Sequence, residues 1–141
     1  MNADGTVLVL SGPDDSTADA VVAELIKLNA PTVRLNIGDF PRDMTMTARL
    51  ENGGWSSELA TAAHTVDLAE TRSVYYRRPT RFTLPDGMSD TDSISASAEA
   101  QLRLGGVLAA LDVLWVNHPA HIAFAEYKPV QLRVAARHMS C

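Results

Sequence analysis

The chain is poor in the residues that announce many familiar functions. Its one cysteine, Cys141, is the last residue, which excludes a disulfide framework or a cysteine-built zinc site within the chain and suggests a cut end. No apolar run approaches the roughly 18 residues of a membrane-spanning helix, so a bilayer protein is excluded. The start, Met1-Asn2-Ala3-Asp4-Gly5, lacks the basic flank and long apolar stretch of a secretory signal, and the chain is expected to be cytoplasmic. Basic residues are also scarce: 12 against 17 acidic ones give a net charge of −5. That is the wrong sign for a whole-surface grip on nucleic acid.

What is present suits one domain of ordinary size: 141 residues, 46% of them hydrophobic. Val7-Leu8-Val9-Leu10, bounded by Gly5 and by Ser11-Gly12-Pro13, reads as a buried strand. Ser16 can cap a following helix with Ala20, Val21, Leu25 and Leu28 at three- and four-residue steps. Thr32 to Asn36 is a second strand, and strand, helix and strand at this spacing predict a parallel βαβ unit. The period then changes. Met44, Met46, Ala48 and Leu50 alternate with polar residues, Asn52-Gly53-Gly54 supplies a tight turn, and Trp55, Ser57 and Leu59 return, with Thr65 to Leu68 able to extend the pairing.

Beyond this antiparallel hairpin insertion, Ser73 to Tyr76 reads as a third core strand. Thr80 to Thr91 is a loop, and a long helix is expected from about Ser93 to Asp112. Its apolar side is read as Ala98, Leu102, Leu108 and Leu111, with Gly105-Gly106 allowing close packing. Val113 to Val116 is a fourth core strand, and short helices follow, the last from Lys128 to about His138. The fold class is thus α/β: a small open, mostly parallel four-stranded sheet flanked by helices, with the antiparallel insertion.

In such sheets ligands bind beyond the carboxyl ends of the strands. Three segments stand there: Gly12-Pro13-Asp14-Asp15, Arg77-Arg78-Pro79 and Asn117-His118-Pro119. Asp14 and Asp15 resemble the paired acids of a phosphoacceptor receiver, but the later strand ends Tyr75-Tyr76-Arg77 with no carboxylate to phosphorylate. The simpler reading is that they favour the positive end of the first helix. Gly-x-Gly-x-x-Gly and Gly-Lys-Ser/Thr are both missing after the first strand, so nucleotide binding there is not expected. Arg77 and Arg78 are the most informative pair, because a guanidinium fork matches carboxylate or phosphate and adjacent strand residues face opposite ways. One of them facing a ligand and one forming a structural salt bridge are equally compatible with the pattern. His118 and His121 have a spacing that can bind metal but lack a third ligand nearby. Ser11, His64 and Cys141 offer no nucleophile–base–orienter arrangement.

Taken together, Asn36-Ile37-Gly38-Asp39-Phe40-Pro41, Val74-Tyr75-Tyr76-Arg77-Arg78-Pro79, Glu99, Trp115-Val116-Asn117-His118-Pro119 and Ala125 to Leu132 resemble one family in order and spacing. It is that of the graspetide synthetases of the microviridin type, ATP-grasp ligases that mature ribosomally made peptides. The resemblance covers nearly all of the chain from Val7 onward. It implies a pre-ATP-grasp domain over residues 1–127, with 128–141 as the first helix of a central ATP-grasp domain that the sequence does not contain. It also implies an enzyme that phosphorylates Asp or Glu side chains of a precursor peptide and joins them to Ser, Thr or Lys as esters or amides.

By the same resemblance Arg77, Arg78, Asn117 and His118 are expected to contact the precursor, and Lys128 the nucleotide. ATP and Mg²⁺ belong to the full-length enzyme, with neither expected on this chain. The partners implied are the precursor peptide, the absent central and C-terminal domains, and a second copy in a homodimer; neither nucleic acid nor membrane is among them. The sequence stops at Met139-Ser140-Cys141, before the family's nucleotide-binding lysines and metal-binding residues, so no ligase activity is expected from the chain alone. The competing expectation is a non-catalytic α/β module that binds a peptide or a partner subunit.

Overall fold

The run Val7 to Leu10 is buried on both faces, none of its four side chains being more than 6% exposed. A strand buried in this way needs a covering layer on each side, and the rest of the chain supplies them. The computed structural model describes residues 4–139, so Cys141 lies outside the described residues. In chain order the elements are strand β1 (Thr6–Leu10), helix α1 (Ser16–Lys27), and strands β2 (Thr32–Leu35), β3 (Met44–Glu51), β4 (Gly54–Thr61), β5 (Thr65–Asp67) and β6 (Thr71–Tyr76). Helix α2 (Asp90–Ala109), strand β7 (Leu114–Val116) and helices α3 (Pro119–Ala125) and α4 (Lys128–His138) complete the fold.

The main sheet has the order β2-β1-β6-β7 and all its pairings are parallel. Alternation along β1 divides the core. Val7 and Val9 face α1, where they meet Ala18, Val22 and Leu25. Leu8 and Leu10 face the other way and join Leu35, Val74, Leu104 and Leu108. That side is also covered by a separate antiparallel sheet, β3-β4-β5, through Met44, Leu59 and Val66. The expected insertion is therefore present and has three strands. Its two-residue turn, Asn52-Gly53, has positive φ at both positions (51° and 80°), as a primed hairpin turn requires.

Three elements, α1, α2 and β7, differ in detail from the sequence reading. Asp15, rather than Ser16, caps α1: its Oδ1 accepts the Thr17 and Ala18 amides, both at 3.1 Å. The buried face of α1 accordingly runs through Ala18, Val22 and Leu25, while Ala20 and Leu28 are exposed. Helix α2 starts at Asp90, with Ser89 as its cap, and buries Ala100, Leu104, Val107 and Leu108. Ala98 and Leu102 point to solvent. Nor do Gly105 and Gly106 serve close packing, since a Cβ at either meets nothing within 4 Å. Strand β7 is an edge strand with Leu114 and Val116 exposed, and only Trp115 of the three packs against the core.

Candidate functional site

The chain leaves β1 toward β2 on one side, and the later strands β6 and β7 lie on the other. The point where the direction of winding reverses lies between β1 and β6, the usual place for a ligand in an open sheet. There the Gly12 amide donates to the Arg78 carbonyl at 2.8 Å, tying the two strand ends together. A hollow of about 310 Å³ opens above them, lined by Gly12 to Thr17, Arg77, Arg78 and Thr80.

Two arginines clamp the β1–α1 turn beside this hollow. Arg34, from β2, donates through Nε to Ser11 Oγ at 2.8 Å and through Nη2 to the Gly12 carbonyl at 2.6 Å, and Nη1 pairs with Asp19. Just beyond β6, Arg77 places Nε 3.2 Å from Oδ1 and 3.1 Å from Oδ2 of Asp15, and its Nη2 donates to Thr17 Oγ1. Burial by itself raises the Asp15 pKa. The Ala18 amide, the hydrogen bond and charge of Arg77, and the Thr17 amide outweigh that effect and hold the carboxyl below its ordinary value. Oδ2 makes an ion contact but no well-aligned hydrogen bond. Asp15 thus occupies the anion position at the start of α1, and Arg77 is already engaged. Arg78 is exposed, and its side chain has no partner among the described residues.

The loop carrying Arg78 is held by a second set of contacts. Asn36, at the end of β2, accepts through Oδ1 from the amides of Gly38 (3.2 Å) and Thr80 (3.0 Å). Its Nδ2 donates to Thr80 Oγ1 at 2.7 Å, and the Thr83 amide donates to the Gly38 carbonyl at 2.6 Å. The loop approaches so closely that a Cβ on Gly38 would stand 2.0 Å from Thr80 Oγ1 and 2.7 Å from the Thr80 carbonyl oxygen. Between this loop and α2 lies a cleft of about 660 Å³ that includes Arg81 and Thr80.

The other expected residues stand at separate places. His118 caps α3, its Nδ1 accepting the Ala120 amide at 3.2 Å; in the neutral ring this leaves the proton on Nε2. Its ring meets Trp115 edge-on at 4.9 Å between centroids and lies 5.4 Å from the His121 ring. Asn117, joined to Val116 by a cis peptide, is exposed. Lys128 is exposed at the start of α4, where Nζ donates to Gln131 Oε1 at 3.2 Å. His118 lines a smaller hollow bounded by α2 and β7, distinct from the hollow shared by Arg77 and Arg78. Among the described residues no three His, Cys, Asp or Glu side chains gather where a metal could sit. Among the described residues no helix is long and apolar enough to cross a membrane.

Arg34, Asn36 and Gly38 are site-shaping residues whose roles the sequence reading missed. An arginine inside a short core strand was the available signal for the first. Nothing local marks Asn36 and Gly38 as the dock for a loop more than forty residues away.

Comparison with known proteins matches this arrangement to a family. A model of the MvdD pre-ATP-grasp domain matches residues 6–123. No curated protein matches the chain. Among solved structures, macrocyclase MdnB from Microcystis aeruginosa MRC is 27% identical with a TM-score of 0.85, the match covering 94% of this chain and 44% of that one. A Chryseobacterium gregarium RiPP-associated ATP-grasp ligase, solved with ADP and a leader and core peptide, is 20% identical with a TM-score of 0.84, covering 94% and 41%. Macrocyclase MdnC of Microcystis aeruginosa MRC, bound with precursor peptide MdnA, is 23% identical with a TM-score of 0.81, covering 94% and 42%. The last two share the fold. The chain spans less than half the length of each of these relatives. With the family model covering the sheet, the insertion and the loop that carries Arg78, the chain belongs to the MvdD pre-ATP-grasp domain family.

Proposed function

We propose that residues 1–127 are the substrate-side domain of an ATP-dependent ligase that forms ester or amide cross-links between side chains of a ribosomally made precursor peptide, and that residues 128–141 begin its central domain. The observation that carries this reading is the unpartnered guanidinium of Arg78, held on a pinned loop at the strand-order reversal of a pre-ATP-grasp fold. A carboxylate of the precursor is its natural counterpart. Arg77 acts on the same peptide indirectly, by holding the turn and loop that shape the hollow. Asn117 and His118 present further hydrogen-bonding groups beyond the end of β7. Lys128 is the cation of this chain assigned to nucleotide phosphate. ATP and Mg²⁺ supply the carboxylate activation in the full-length enzyme, a homodimer in our reading, working in the cytoplasm.

Modification of a precursor by the full-length protein, read as loss of one water per cross-link by mass spectrometry, tests the reading. Arg78→Ala is expected to slow modification about tenfold or more with an unchanged melting temperature. Undiminished modification would remove Arg78 from the peptide site, and failure of the full-length protein to consume ATP with any precursor would favour a non-catalytic binding module. Calorimetry of residues 1–141 with Mg·ATP is expected to show no heat of binding, whereas clear binding would move the nucleotide site into this domain.

A further inference from the structure

Among the residues lining the small hollow bounded by α2 and β7, only His118 has a role in the proposed function. The volume of the hollow is about 210 Å³, and Tyr76, Phe82, Leu104, Leu108 and Trp115 make it mainly apolar. One feature distinguishes it from a packing defect. Gly105 lines it from the interior of α2, and a Cβ there meets nothing within 4 Å. Glycine inside a helix is destabilising relative to alanine, so the fold keeps a space that any larger residue could begin to fill. The wall also contains the side chain of Trp115, whose emission can report on what enters.

Size and surroundings indicate the occupant. An apolar cavity of about 150 Å³ suffices for benzene, so this one suits a phenyl or leucyl group. Through Tyr76, Phe82 and Gln101 it adjoins the wider cleft that holds Arg81 and Thr80. Thr80 in turn lines the hollow of Arg78. The side chains of Arg78 and Arg81 both lack partners among the described residues, in a chain whose net charge is −5. A ligand that uses the whole path carries an apolar group at one end and carboxylates further along.

We propose that this hollow receives one leucine- or phenylalanine-sized side chain of an acidic peptide whose carboxylates lie on Arg78 and Arg81. The inference rests on the peptide-binding reading above and adds to it an apolar specificity pocket. The pocket selects by volume and the arginines by charge, so neither feature alone suffices for binding.

The sequence has two tryptophans, and the other, Trp55, is half exposed on β4. Trp55→Phe therefore makes Trp115 emission a reporter of the pocket. The probe is a synthetic octapeptide with two glutamates and one phenylalanine in a glycine–serine background, titrated into the full-length protein and into residues 1–141; where the full-length chain carries further tryptophans, the Trp115 signal is read on residues 1–141. The expected result is a saturable change in Trp115 emission, weakened about tenfold or more when the peptide phenylalanine becomes alanine. Gly105→Met is expected to weaken binding equally without lowering the melting temperature. Binding that depends on Arg78 and Arg81 but keeps its strength with the alanine peptide and in Gly105→Met overturns the pocket and leaves the peptide-binding reading standing. Equal binding of N-acetylphenylalanine amide and the octapeptide overturns the peptide occupant in favour of a small aromatic ligand. No emission change with any probe overturns the proposal outright. Should Gly105→Met fail to fold, the alanine peptide decides alone.

Discussion

Asp15 joins three functions in one carboxylate: it caps α1, pairs with Arg77 and occupies the place where an external anion would otherwise sit. Its pKa is lower in the folded chain than its ordinary value of 3.8. Its stabilising contribution is therefore complete above that ordinary value and disappears as the pH falls through the folded one. Asp15→Asn should lower the urea midpoint at neutral pH, and its deficit against the parent should shrink below pH about 4; a deficit constant with pH would show that ionisation of Asp15 does not matter. Gly38 makes a steric prediction. A Cβ there collides with Thr80 Oγ1 and with the carbonyl oxygens of Thr80 and Arg81. Gly38→Ala should cost about 1–3 kcal/mol in denaturant titration.

The β6–α2 loop, residues 77–89, is legible in sequence only as a loop. Its anchoring depends on Asn36, whose four side-chain hydrogen bonds include two to Thr80. Asn36→Ala should leave the sheet intact and speed amide exchange at Thr80 and Thr83, checked by hydrogen-exchange NMR; unchanged protection at both would show that the loop is held otherwise. The strands were readable because apolar runs and a two-fold alternation mark them locally, as at Val7 to Leu10 and at Met44 to Leu50. Helix α2 was readable as a helix but not in rotation. Alanines and leucines are spread around it, so Ala98 and Leu102 looked as suitable for the core as Ala100 and Leu104 do in the fold. Of the candidate site, the strand-end positions of Arg77, Arg78, Asn117 and His118 followed from topology. Which arginine is engaged did not, because Arg77 meets Asp15 across 62 residues of sequence.

At the scale of the whole molecule, several large apolar side chains near the C-terminal end of the chain remain exposed. Leu114 and Val116 on β7, Phe124 on α3, and Leu132 and Val134 on α4 are all exposed. Exposed apolar side chains favour association, so residues 1–141 alone should sediment with a concentration-dependent coefficient, and the double variant Phe124→Ser, Leu132→Ser should behave as a monomer. A coefficient independent of concentration in the parent would show that these side chains are tolerated in water. The central strand has a different kind of incompleteness, one of timing. Val7 of β1 pairs on one side with Thr32 but on the other with Ser73. During synthesis β1 therefore keeps a bare edge until β6 has left the ribosome, whereas β3, β4 and β5 are contiguous and need only one another for their pairing. The inserted sheet can assemble before the domain that contains it, and the latest strands to arrive complete the edge on which the peptide is proposed to bind.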